Sequence, residues 1–201
     1  MAVVKPESKN YFKIPILLIF LIMLFFVLYF IFWIQNTPYK LVRIFIYAIE
    51  NRDILKIYKL TIPQERNELG VTPEAIRIIL QNTLWRYGDI RGVIEDIHLY
   101  NYWGIALGRW CNSKTGRLIP ANFGPPDRPK AMDLAISFVR LTPEGWRIST
   151  ARFLSGRCFQ TFGNLELCRR VGIKGQVDVK TGYVIPLDKL EEEIAFLFRI
   201  R

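Results

Sequence analysis

Histidine is the scarcest reactive group in this chain: 201 residues contain one, His98, beside three cysteines and three methionines. No Cys-x-x-Cys pair or His-rich cluster is among them, so a structural zinc site is not expected. Also missing are a Gly-x-Ser-x-Gly elbow, a phosphate-binding Gly-rich loop ending in Lys-Ser/Thr, a His-Glu-x-x-His helix and a dinucleotide-type glycine turn. Nucleotide and metal chemistry are therefore disfavoured, and neither a cofactor nor a metal is expected.

Charge is missing altogether from residues 14–34, IPILLIFLIMLFFVLYFIFWI. As a helix rising ~1.5 Å per residue this run is about 31 Å long, matching the ~30 Å hydrocarbon core of a bilayer. Tyr11, Phe12 and Lys13 before it, and Trp33, Gln35, Asn36 and Tyr39 after it, are residues that favour the interface. A cleavable signal peptide would have an apolar region of ~7–15 residues and small residues at its cleavage site. Here the run ends in Trp33-Ile34-Gln35-Asn36. The sequence thus predicts a retained, single-pass transmembrane helix acting as a signal anchor. Lys5, Lys9 and Lys13 on one flank against Lys40 and Arg43 on the other favour a cytoplasmic N-terminus and an extracytoplasmic C-terminal domain.

The ~165 residues that follow suffice for one domain. Net charge is +10; Lys5, Lys9, Lys13 and Glu7 give residues 1–36 a share of +2, leaving +8 for the remainder. A basic domain on a tether is drawn to anionic headgroups. Its cations are scattered and no nucleic-acid motif accompanies them, so a solvated basic face is expected, not a nucleic-acid partner.

Helical periodicity dominates the first part of this domain. Leu41, Val42, Phe45, Ala48 and Ile49 form one stripe over Tyr39–Glu50. Asp53 can cap a short helix from Ile54 to Leu60. Thr72 and Pro73 start a third helix, which Gly88 closes. From Gly92 the pattern changes to strands, Val93–Trp103 and Ile105–Cys111, with Gly104 as a bend. A long loop over Asn112–Lys130 precedes a hairpin of Ala131–Leu141 with Trp146–Leu154, and Leu134, Ile136, Phe138, Trp146 and Ile148 are expected in the core. Two further hairpins are expected, around Gly163-Asn164 and around Lys180-Thr181-Gly182. The terminal LDKLEEEIAFLFRIR fits a helix capped by Asp188, with Glu191 at the capping-box position and Leu190, Ile194, Leu197 and Phe198 on its apolar face.

Cys158 and Cys168 bracket FQTFGNLEL, read as two strand-like pieces. A disulfide across that hairpin would contribute about 2–3 kcal/mol in an oxidising compartment; two ordinary buried thiols are the equally open reading. Cys111 is left over.

Three helices followed by long antiparallel strands ending in a Gly-Trp hairpin resemble the nuclear-transport-factor-two-like (NTF2-like) superfamily. The residues that carry the likeness are AIENRDILKIY at Ala48–Tyr58, similar to the break between that family's first two helices, and EGWRIS at Glu144–Ser149, similar to its last hairpin. The resemblance covers 38–154 and implies an α+β cone of three helices on a curved antiparallel sheet. It leaves 1–13 as a basic N-terminal segment, 14–34 as the anchor and 155–201 as a C-terminal extension of hairpin and helix. Membrane-tethered relatives serve as assembly components, inner-membrane proteins of type IV secretion among them.

Enzymes of that superfamily carry acid–base groups inside the cone, and the one constellation of that kind here is Asp96 with His98. Strand alternation places both on one face, continued by Tyr100 and Tyr102, opposite Ile97 and Leu99. If the apolar face is the interior, the pair is solvated and acts on nothing. The leading expectation is thus a non-catalytic, membrane-anchored binding or scaffold domain, a subunit or accessory factor of an assembly, with other membrane or extracytoplasmic proteins, the lipid bilayer or further copies of itself as partners. The alternative is a small-ligand carrier or acid–base enzyme using the cone interior with Asp96 and His98.

Overall fold

The α2 helix, Pro38–Glu50, shows how the helical half is built: its stripe of Leu41, Val42, Phe45, Ile46, Ala48 and Ile49 is buried. It belongs to a computed structural model that describes residues 18–28, 37–122, 133–141 and 144–199. The chain divides into two units, Met1–Thr37 and Pro38–Arg201.

In the first unit the described element is the α1 helix, residues 18–28, with exposed apolar side chains from Leu18 to Leu28. At ~1.5 Å per residue the described residues 18–28 span about 16 Å. Among the described residues no helix is long and apolar enough to cross a membrane. This corrects the expectation of a transmembrane helix over 14–34, and with it the single-pass anchor and the extracytoplasmic placement that depended on it. Residues 14–17 and 29–34 lie outside the described residues.

In the second unit, Arg52 takes a positive φ of 58° at the break after α2, and Asp53 caps α3 (Ile54–Leu60) by accepting the Lys56 N–H at 3.0 Å. A short α4 (Pro63–Asn67) comes next. In α5 (Pro73–Thr83), Thr72 accepts the Ala75 N–H at 3.1 Å. The expected continuation of α5 is a separate 3₁₀ turn, Trp85–Tyr87, closed by Gly88.

Four strands follow, β1 (Ile90–Leu99), β2 (Trp103–Asn112), β3 (Asp133–Leu141) and β4 (Gly145–Ile148), antiparallel and in sequence order. The domain is α+β. Gly104 is no bend: it lies within β2, where a Cβ would stand 2.5 Å from the Phe138 ring, so the missing side chain makes room for that aromatic. Leu134, Ile136, Phe138 and Ile148 are fully buried, and half-buried Trp146 meets Phe138 edge-on at 5.6 Å.

The largest departure comes after Ile148. Where a strand to Leu154 and a hairpin around Gly163-Asn164 were expected, β4 stops and α6 (Thr150–Phe162) begins; Gly163 ends it in the left-handed region, and α7 (Glu166–Arg170) follows. Nine of the thirteen residues of α6 are buried, Ser155 and Arg157 among them. A helix enclosed on nearly all sides has no polar face, so the 3.6-residue contrast that reveals a helix is absent. The main core runs through it, joining Leu154, Cys158 and Phe159 to Leu165, Leu187 and Leu190. The hairpin around Lys180-Thr181-Gly182 forms as expected from β5 (Gly175–Val177) and β6 (Val184–Pro186). The last helix, α8 (Leu187–Arg199), starts two residues earlier than expected and so puts Asp188 in its first turn, not at the cap. It buries Leu187 and Leu190; the side chains of Leu197 and Phe198 lie outside those described.

Candidate functional site

Alternation along β1 does bring Asp96 and His98 together, with His98 Nε2 3.1 Å from Asp96 Oδ2. Their side chains are 60% and 49% exposed. The strand is bulged between Ile94 and Asp96, and the second Asp96 oxygen accepts the Ile97 N–H at 2.8 Å. On the opposite side Ile97 packs against the core, but Leu99, expected there too, is exposed because β1 ends at it. Tyr100 stacks on Trp103 at 4.0 Å, and the Tyr102 hydroxyl donates to the Lys180 carbonyl at 2.5 Å. These contacts tie the β1–β2 turn to the β5–β6 hairpin, and His98 stays about half in solvent.

Cys158 and Cys168 also meet. Their sulfurs are 3.0 Å apart, both are buried, and both thiols are free. The Cys168 thiol beside it, reinforced by burial, pushes Cys158 far above the ordinary thiol range. Cys111 is a separate, half-buried thiol on β2 whose nearest polar partner is the Arg91 carbonyl at 3.5 Å. Among the described residues no group of three or more His, Cys, Asp and Glu could hold a metal ion.

Two features escaped the sequence. The first is a buried polar junction centred on Glu65 of α4. Its Oε1 accepts the Ser149 hydroxyl at 2.7 Å and the Val177 N–H at 3.2 Å, and its Oε2 accepts the Ala151 N–H at 2.9 Å. One fully buried carboxylate therefore serves the start of α6, where helix N–H groups need acceptors, and the strand β5. Burial outweighs the hydrogen bonds from Ala151, Ser149, Val177 and Thr150, and raises the carboxyl from 4.5 to about 7. Beside it the Thr61 and Thr150 hydroxyls share a hydrogen bond of 2.7 Å. No local pattern could reveal this: the partners of Glu65 stand 84, 86 and 112 residues away.

The second is a cleft of about 350 Å³ alongside that junction. Ile62, Pro63 and Gln64 of the α4 start form one wall, Val177, Val179 and Gly182 of the β5–β6 hairpin another, and Val139, Leu141 and Glu144 of the β3–β4 hairpin the third. Beneath it a small apolar cluster of Ile62, Leu69, Val139, Val177 and Val179 is separate from the main core. Glu65 joins two of the walls, since it sits on α4 and holds the Val177 N–H. The volume is at the low end of ligand pockets, and the lining, mostly aliphatic with polar groups at the rim, supplies shape and desolvation in place of a reactive group.

No protein family matches this sequence, and neither a curated protein nor a solved structure does so.

Proposed function

We propose that this chain is a non-catalytic binding or scaffold module, a subunit or accessory factor of a protein assembly, and that the cleft between α4, the β3–β4 hairpin and the β5–β6 hairpin receives an apolar side chain of its partner. The cleft carries this reading: it is apolar, concave, backed by its own small core and braced by Glu65. The acid–base pair lies elsewhere, exposed on β1. An acid–base enzyme needs its titratable group enclosed and tuned, and Asp96 with His98 lacks the enclosure. The succession of α2, α3 and α5 before four antiparallel strands supports an NTF2-like cone as the scaffold of this module.

Leu141 is the residue with which to test it, being half-buried at the cleft and part of no ion pair. In cells that produce the full chain, cross-linking followed by mass spectrometry should recover a partner with the wild type and lose it with Leu141→Glu, while the variant keeps its near-ultraviolet circular dichroism. Unchanged cross-links in a folded Leu141→Glu chain would remove the cleft from the function.

A further inference from the structure

Between Cys158 in α6 and Cys168 in α7 the chain reverses at Gly163, whose φ of 75° and N–H bond to the Phe159 carbonyl at 2.8 Å turn α7 back along α6. That reversal brings the two buried sulfurs to 3.0 Å. Five-residue α7 is also tied by polar contacts to the C-terminal helix, which packs on β5 and β6. Arg169 binds Asp188 at 2.8 Å and also Glu191, and the other Glu191 oxygen accepts the Leu165 N–H at 3.1 Å. Whatever fixes α7 on α6 therefore steadies one of the attachments of α8.

We propose that Cys158 and Cys168 form a redox pair whose closure to a disulfide staples α7 to α6 and so steadies the polar attachment of α8 to α7. Bonded sulfurs lie ~2 Å apart, so side-chain rotation alone can nearly close the gap. The oxidant is a small-molecule disulfide such as oxidised glutathione. Both sulfurs are buried, so exchange begins when α7 opens from α6: one cysteine, exposed and deprotonated there, attacks a sulfur of that disulfide and releases one thiolate, giving a mixed disulfide; the second cysteine attacks the protein sulfur of the mixed disulfide and releases the other. In total the two cysteines lose two protons and two electrons, and one disulfide becomes two thiols. Cys111, on β2, takes no part and remains the free thiol.

The test uses the full chain, brought to equilibrium with graded ratios of reduced and oxidised glutathione from both its native and its urea-unfolded state, then alkylated and mapped by mass spectrometry. Under oxidising ratios a Cys158–Cys168 linked peptide should appear with Cys111 alkylated, and backbone hydrogen exchange in α8 should slow relative to the reduced chain. Cys158→Ser and Cys168→Ser should each abolish that slowing, although the comparison of oxidised with reduced wild type already decides the matter if a variant fails to fold. Three alkylated thiols at every ratio, a bond that includes Cys111, or equal α8 exchange in both states would overturn the proposal.

Discussion

Ionising Glu65 should cost the fold stability in a range of pH where most carboxylates have no effect. In the native chain its carboxyl is raised from 4.5 to about 7, because burial outweighs the donors from Ala151, Ser149, Val177 and Thr150. A carboxyl whose folded pKa lies above its unfolded value favours the folded state when protonated. Its contribution is therefore fully present below about 4.5, declines as pH rises, and is gone above about 7. At 1.36 kcal/mol per pH unit that interval is worth about 3 kcal/mol. Glu65→Gln isolates the effect, because the amide imitates the protonated acid and does not titrate. In either form the carbonyl oxygen keeps the Ala151 N–H and the donating group faces the Ser149 hydroxyl, which can pass its own proton to the Val177 carbonyl 3.5 Å away; in the amide the Val177 N–H loses its acceptor, a cost constant with pH that offsets the gap without moving it. Urea denaturation of wild type and variant at intervals from pH 4.5 to 8 should show their stability gap moving by about 3 kcal/mol in favour of the variant. Parallel curves would refute the burial argument, and a gap moving the other way would mean that the hydrogen bonds outweigh burial.

Two further substitutions test the packing. Phe138→Ala removes a fully buried ring that lies on Gly104 and meets Trp146, and should lower the unfolding free energy by about 3–5 kcal/mol in the same urea assay. Gly108→Ala puts a Cβ 2.0 Å from the Val93 carbonyl oxygen, a backbone atom that can yield only if β1 and β2 separate near the bulge. It should cost on the order of 3 kcal/mol and raise hydrogen exchange in β1 above that in β3, where an evenly spread loss of protection would contradict the placement.

What the sequence disclosed, and what it hid, follows from the range of the forces involved. The stripes and caps of α2, α3 and α5 were legible because Asp53 and Thr72 act within three residues and because these helices have one wet face. The faces of β3 were legible for the equivalent reason in period two, as Leu134, Ile136 and Phe138 show. Helix α6 was hidden because it is buried nearly all round and its first turn is satisfied by Glu65, far away in sequence. For the apolar run at 14–34, composition gives the length of a span, yet among the described residues no helix is long and apolar enough to cross a membrane. Of the site residues, Asp96 and His98 stand side by side because strand alternation is local, and Cys158 and Cys168 meet through a helix–turn–helix where the sequence suggests a hairpin. The cleft and Glu65 left no local trace, since three segments distant in sequence converge on them.

That this chain works by binding and not by acid–base chemistry is tested most directly by comparing two substitutions in cells lacking the native protein. His98→Ala removes the single histidine from an exposed strand and should cost about 0–2 kcal/mol of stability. Leu141→Glu places a charge at the apolar cleft. The account predicts that a folded His98→Ala chain restores the cellular role in full and a folded Leu141→Glu chain does not; loss of the role in a folded His98→Ala chain, with Leu141→Glu active, would contradict it.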